Sequence, residues 1–316
     1  MQPTEVEDNV VTKDLLNFEH RWKLRDWVDE SKLDRSALSF NPNSIYFWEK
    51  HFDQIDACFY SNPSGYHLIN RLVKVNSIDR PHYFLSINRS AVHILERNQH
   101  LIDWSALSTN TAAIHLLEQN KDKIHWRCLS GNPAAIHLLE ANPEKIDWEL
   151  LSKNPAAIHL LEQNQDKICW SWLSQNPAAI HLIQQNLDKI DLMALSRNPV
   201  VMYFLENNLL NEDNLNKIDW YALSEQEWAF PFLERNQHLI KWRNLSRNPA
   251  AIQLLEQNQD KIDWYNLSRN PAIFELDYDF FNRRMMIINE ELMMKTWHPN
   301  RFKEWCLDID EVKELC

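Results

Sequence analysis

Leu151 to Trp170 reads LSKNPAAIHLLEQNQDKICW, and near-copies of this phrase run through most of the chain. Its Leu-Ser pair recurs every 22 residues, at Leu107-Ser108, Leu129-Ser130, Leu151-Ser152, Leu173-Ser174 and Leu195-Ser196. Leu85-Ser86 precedes the series, and Leu223-Ser224, Leu245-Ser246 and Leu267-Ser268 follow it. A fixed period of roughly 20–50 residues marks a solenoid, in which one supersecondary unit stacks on its copies.

One rung can be built from residue chemistry. Asp147 is suited to cap a short helix in which Trp148 and Leu151 share a face at i, i+3. Pro155 cannot continue that helix but suits the first position of the next, with Asn154 as its cap. The second helix is predicted from Pro155 to Gln163, ending at Asn164 in the left-handed conformation that asparagine tolerates. At 100° per residue, Ala156, Ala157, Ile158, Leu160 and Leu161 cover an arc of about 200°, which suits a helix wedged between two rungs. A short strand at Lys-Ile-Asp-Trp is the weaker alternative, because the step lacks period-2 alternation. Two short helices per rung, one of them 3₁₀, is the reading adopted. The expected fold is therefore all-α: an α-solenoid of about ten short two-helix rungs with degenerate N- and C-terminal caps. At 8–10 Å per rung, an open stack would be a rod or arc on the order of 100 Å long.

The pattern divides the chain. Residues 1–20 are polar and expected to be loose, and residues 21–84 read as degenerate capping repeats, with Trp27, Leu38 and Asn41-Pro42 echoing the phrase. Residues 85–276 form the regular solenoid, interrupted by an insertion near 207–216 that stretches one interval from Leu195 to Leu223. The rung after the insertion lacks Asn-Pro and carries Pro231 inside its second helix. Residues 277–316 read as a C-terminal cap: an amphipathic helix to about Lys295, then a short helix starting at His298-Pro299.

Composition narrows the function classes. Only two glycines occur, Gly65 and Gly131, which disfavours phosphate-cradling loops and hairpin-rich folds. A net charge of −12 argues against a nucleic-acid partner. Cys58, Cys128, Cys169, Cys306 and Cys316 are odd in number and lack CxxC spacing, so reduced thiols in a cytosol-like compartment are expected. No secretory signal is visible and no 18 apolar residues run together, so no membrane span is expected.

Three rows of aligned residues are the candidate sites. His67, His93, His115, His137, His159 and His181 fall on the polar arc of successive second helices, beside Glu118, Glu140 and Glu162. Shared metal coordination is disfavoured, because helices packed 8–10 Å apart hold such nitrogens farther apart than one zinc allows. Bridges between rungs are the plain structural reading, and a partner-binding face is the functional one. The row ends at Tyr203, Pro231, Gln253 and Glu275.

Trp104, Trp126, Trp148, Trp170, Trp220, Trp242 and Trp264 are read as a buried structural stripe in preference to a stacking platform for bases or sugars. Asn110, Asn132, Asn154, Asn176 and Asn198, with Asn248 and Asn270, are read as caps and ladder donors. Lys123, Lys145, Lys167, Lys189, Lys217 and Lys261 also align, but acidic neighbours make them a poor phosphate track. No catalytic motif, metal-ligand spacing or cofactor signature emerges, so the chain reads as non-enzymatic, with no catalytic, metal or cofactor residue assigned. The breaks in symmetry, at 60–85 and 205–235, read first as kinks in the stack and second as partner-docking sites.

The phrase LSxNPAAIHLLEQNxDKIDW, with the ending EELMMKTWHPNRFKEWCLDID, resembles the uncharacterised repeat proteins that nucleocytoplasmic large DNA viruses (giant viruses) encode in many copies. Leu151-Ser152, Asn154-Pro155-Ala156-Ala157-Ile158, Leu160-Leu161-Glu162, Lys167-Ile168, His298-Pro299 and Trp305 carry the resemblance, which spans about residues 20–316. Leu223 to Arg235 departs from the pattern. The resemblance implies a viral product acting in the cytoplasm of an infected cell or packaged in the virion, and it implies no activity. A protein-interaction scaffold with a host or viral protein partner is the expected function, and a structural virion component, a strut beneath the capsid shell, is the alternative. Neither nucleic acid nor membrane is expected as a partner.

Overall fold

The computed structural model describes residues 22–75, 82–207, 210 and 212–296. The expected loose N-terminus and the helix at His298-Pro299 lie outside these residues, as does part of the insertion. The chain divides into two units, one of Leu24–Phe274 and one of Met1–Lys23 with Glu275–Cys316. In the second unit, Lys23 pairs with Glu275 at 3.4 Å, and a helix runs over Tyr278–Thr296, as the sequence predicts.

The Leu24–Phe274 unit is an all-α solenoid. Its Asp147 rung shows how the phrase folds. Asp147 accepts a hydrogen bond from the Leu150 N–H at 2.9 Å and starts the α-helix Trp148–Lys153. Asn154 Oδ1 accepts from the Ala156 N–H and opens the second helix, with Pro155 in its first turn.

That second helix differs from expectation in its first turn. Pro155–Ala157 is 3₁₀, and the α-helix proper is Ile158–Gln163. The tighter winding shifts the phase, so Ala157 is fully buried while Ala156, expected on the apolar arc, is exposed. Asn164 also departs from prediction: its φ is −135°, not left-handed, and its Nδ2 donates back to the Leu160 carbonyl at 2.9 Å. The side chain satisfies a free carbonyl at the helix end, so no positive φ is needed. A further 3₁₀ turn, Gln165–Lys167, leads to the next rung.

Helices of four to six residues lie far below the roughly 12–15 that an isolated helix needs, so stacking supplies the stability. The joints between rungs are built on one plan. Leu107, Leu129, Leu151 and Leu173 have no exposed surface; burying each stabilises by about 1.5–3 kcal/mol. Asn176 Nδ2 donates to the Ser152 carbonyl at 3.0 Å and to the Asn154 carbonyl at 3.1 Å, one rung back. Ser152 Oγ donates to the Trp148 carbonyl at 2.7 Å and accepts the Cys169 N–H of the next rung at 3.0 Å.

This plan continues where a solenoid would end. Asn41 Nδ2 donates to the carbonyls of Ser268 (3.0 Å) and Asn270 (2.9 Å), the bonds an interior rung makes to its predecessor. Ser268 Oγ accepts the Asp34 N–H at 2.8 Å, and the helix Arg35–Leu38 packs on Trp264–Ser268. Asn43 and Arg25 add bonds to the carbonyls of Pro271 and Ala272. The Leu24–Phe274 unit thus closes on itself, with successive turns at Asn41, Asn62, Asn88, Asn110, Asn132, Asn154, Asn176, Asn198, Gln226, Asn248 and Asn270.

The open rod or arc is therefore corrected. The degenerate N-terminal rungs stack directly on the last regular one. Their irregularity has local causes, as at Gly65, which stands where the regular rungs carry a buried Ala. A Cβ on Gly65 would lie 2.9 Å from the Phe59 ring. Among the described residues the only strands are the paired Trp22–Leu24 and Phe274–Leu276, and none forms at the Lys-Ile-Asp-Trp step.

Candidate partner-binding face

The second helices carry the histidine row, and the 22-residue period sets each His beside the rung before it. His115 Nε2 lies 2.7 Å from Glu96, His137 2.9 Å from Glu118, His159 2.8 Å from Glu140 and His181 2.5 Å from Glu162. His67 pairs likewise with Glu49 at 3.0 Å. His93 instead lies against the Tyr66 ring, with centroids 4.2 Å apart. The sequence places Glu140 one turn after His137 on the same helix, yet each Glu pairs across the joint with the following rung. Both partners remain about half exposed, with His137 at 52% and Glu118 at 46%. The ladder covers one stretch of the closed stack and stops where Tyr203 and Gln253 take the histidine position. Among the described residues, no group of three or more His, Cys, Asp or Glu is placed to hold a metal ion.

The tryptophans are partly buried, not sealed in the core. What covers the outer face of most is a lysine. Lys123, Lys145, Lys167 and Lys189 place their Nζ 4.4–4.9 Å from the ring centroids of Trp104, Trp126, Trp148 and Trp170. Lys261 does the same over Trp242 at 4.3 Å, and Lys32 over Trp264 at 4.9 Å across the closure. Each pair is a cation–π contact worth about 0.5–1 kcal/mol at an exposed site. The lysine row and the tryptophan row are thus one feature, legible in sequence as a constant spacing of 19 residues from Trp104 to Lys123 and onward.

All the asparagines assigned to the ladder occupy it. Asn110, Asn132, Asn154, Asn176 and Asn198 each donate to a Ser carbonyl 24 residues earlier, at 2.9–3.0 Å. The serine row, which served only as a landmark in the sequence, is the unforeseen member. Ser86, Ser108, Ser130, Ser152, Ser174, Ser196, Ser224, Ser246 and Ser268 are all fully buried. Each hydroxyl accepts a backbone N–H of the following rung. Its signal was the invariant partner of Leu at every copy.

No helix of the described residues is long and apolar enough to cross a membrane. Comparison with protein-family models, with curated proteins and with solved structures returns no match.

Proposed function

We propose that this chain is a non-enzymatic protein-interaction scaffold, holding its partner along the His–Glu row. The observation that carries the reading is that row itself: half-exposed imidazole–carboxylate pairs repeated on consecutive rungs of the stack. Even a fully charged exposed pair contributes only about 0.2–1 kcal/mol, so stability alone is a weak reason to repeat such a contact so regularly. A regular array of paired donors and acceptors suits a surface that reads an extended protein partner. On the resemblance of its repeat, the chain acts as a product of a large DNA virus in the cytoplasm of an infected cell. A structural role in the virion is the alternative, and abundant copies of the chain in purified particles would favour it.

The test is capture from infected-cell lysate by the wild-type protein and by the triple variant His137→Glu, His159→Glu, His181→Glu. The variant should keep its helical circular dichroism and lose the partner identified by mass spectrometry. Undiminished capture by the folded variant removes this face from consideration.

A further inference from the structure

Six joints hold a lysine over an indole, and one further joint keeps the lysine without the indole. At the tryptophan position the rung beginning at Asp191 carries Leu192. The lysine that would lie over that ring is Lys217, displaced in sequence by the insertion but still in register, directly before Ile218-Asp219-Trp220. Leu192 and Lys217 both line a cavity of about 810 Å³, whose wall also includes Leu187, Ile190, Met193 and Phe204. The cavity thus sits at the place where six other joints hold a lysine over an indole.

Leu187 stands where Gln165, Lys121, Pro143 and Leu215 occur, and Met193 where Glu149, Ser171, Tyr221 and Tyr265 occur. Both are apolar and well exposed, at 54% and 60%. They leave apolar surface open to water beside the cavity, which favours a partner that covers it. Asp188 adds an exposed carboxylate to the lining, and Asp191 contributes a second.

We infer that this cavity receives an aromatic side chain from a partner protein, with the incoming ring lying beneath Lys217 as Trp148 lies beneath Lys167. The chemistry of the occupant is set by what fills the same place in six other joints, where an ammonium rests 4.3–4.9 Å from an indole centroid. Its flanking residues are basic: two carboxylates and one ammonium line the site, and the chain as a whole carries −12. That the ring comes from a protein rests on the scaffold reading above. The existence of the aromatic site does not, and it lies apart from the His–Glu row.

The probe is 5-fluoroindole, titrated against the full chain and followed by ¹⁹F NMR. The wild type should show saturable broadening. Lys217→Met, a change at an exposed position, should weaken binding by about fivefold, and Leu192→Trp should abolish it by filling the site from within. Absence of saturable binding to the wild type overturns the proposal. So does equal affinity for Lys217→Met, or binding that persists in a folded Leu192→Trp protein. Should Leu192→Trp fail to fold, the Lys217→Met comparison decides alone. A second arm compares the tripeptides Lys-Trp-Lys and Glu-Trp-Glu, blocked at both ends. The basic peptide should bind more tightly, and the reverse order overturns the choice of a basic partner. Because the probe needs no cellular partner, this result stands whether or not the triple histidine variant loses capture.

Discussion

Asn154 does three things with one side chain. Its Oδ1 caps the second helix of its own rung, its Nδ2 satisfies the buried Ser130 carbonyl, and its own carbonyl accepts from Asn176. Replacement by Ala removes the cap and strands a buried acceptor, at about 1 kcal/mol for the first and about 1–3 kcal/mol for the second. Asn154→Ala should therefore lower the unfolding free energy by about 2 kcal/mol or more in a urea titration, and a loss below about 0.5 kcal/mol would refute the ladder's role. The capping half of this was legible in the Asn-Pro dipeptide, whose chemistry is local. The serine hydroxyl that accepts the next rung's N–H was not, because a Ser three residues before a Pro has no distinctive local signature. Only the constancy of Ser across copies pointed to it, and constancy does not name the bonding partner.

At the scale of the element, helix identity followed from the phrase, and helix phase did not. Pro155 at the start and Asp147 at the cap fix where the two helices begin. The 3₁₀ winding of Pro155–Ala157 turned Ala156 outward, a difference of a fraction of a turn that a uniform 100° wheel does not register. The helix end at Asn164 offers a direct check. A left-handed cap is better served by Gly than by Asn. With φ at −135° and Nδ2 bonded to the Leu160 carbonyl, Asn164→Gly should instead destabilise, by about 1 kcal/mol. Stabilisation by that substitution in thermal or chemical unfolding would restore the left-handed cap. The insertion after Leu205 was legible as a break in register. The register of Lys217 with Leu192 follows from the lysine–tryptophan contact of six other joints, which the break in spacing alone does not show.

Across the Leu24–Phe274 unit, the first and last rungs meet through the contacts that the regular interior pairs use. Sequence contained the parts of this joint: Lys32, Asp34 and Asn41 stand at the spacing of Lys261, Asp263 and Asn270. Whether a stack closes depends on the small rotation accumulated at each joint, and a residue pattern carries the joint but not its angle. Closure also changes the expected energetics. In an open stack Asn41 would sit at a free end and its loss would be mild, whereas here Asn41→Ala should cost as much as Asn154→Ala. The most direct test is a distance across the seam, with dyes or spin labels on cysteines placed at Ser36 and Tyr265 in a background lacking the native cysteines. Both positions are exposed, on helices that pack together. Closure predicts backbones one rung apart, about 8–10 Å, with near-complete energy transfer. A separation on the order of 80–100 Å, as ten rungs of an open stack would give, would contradict it.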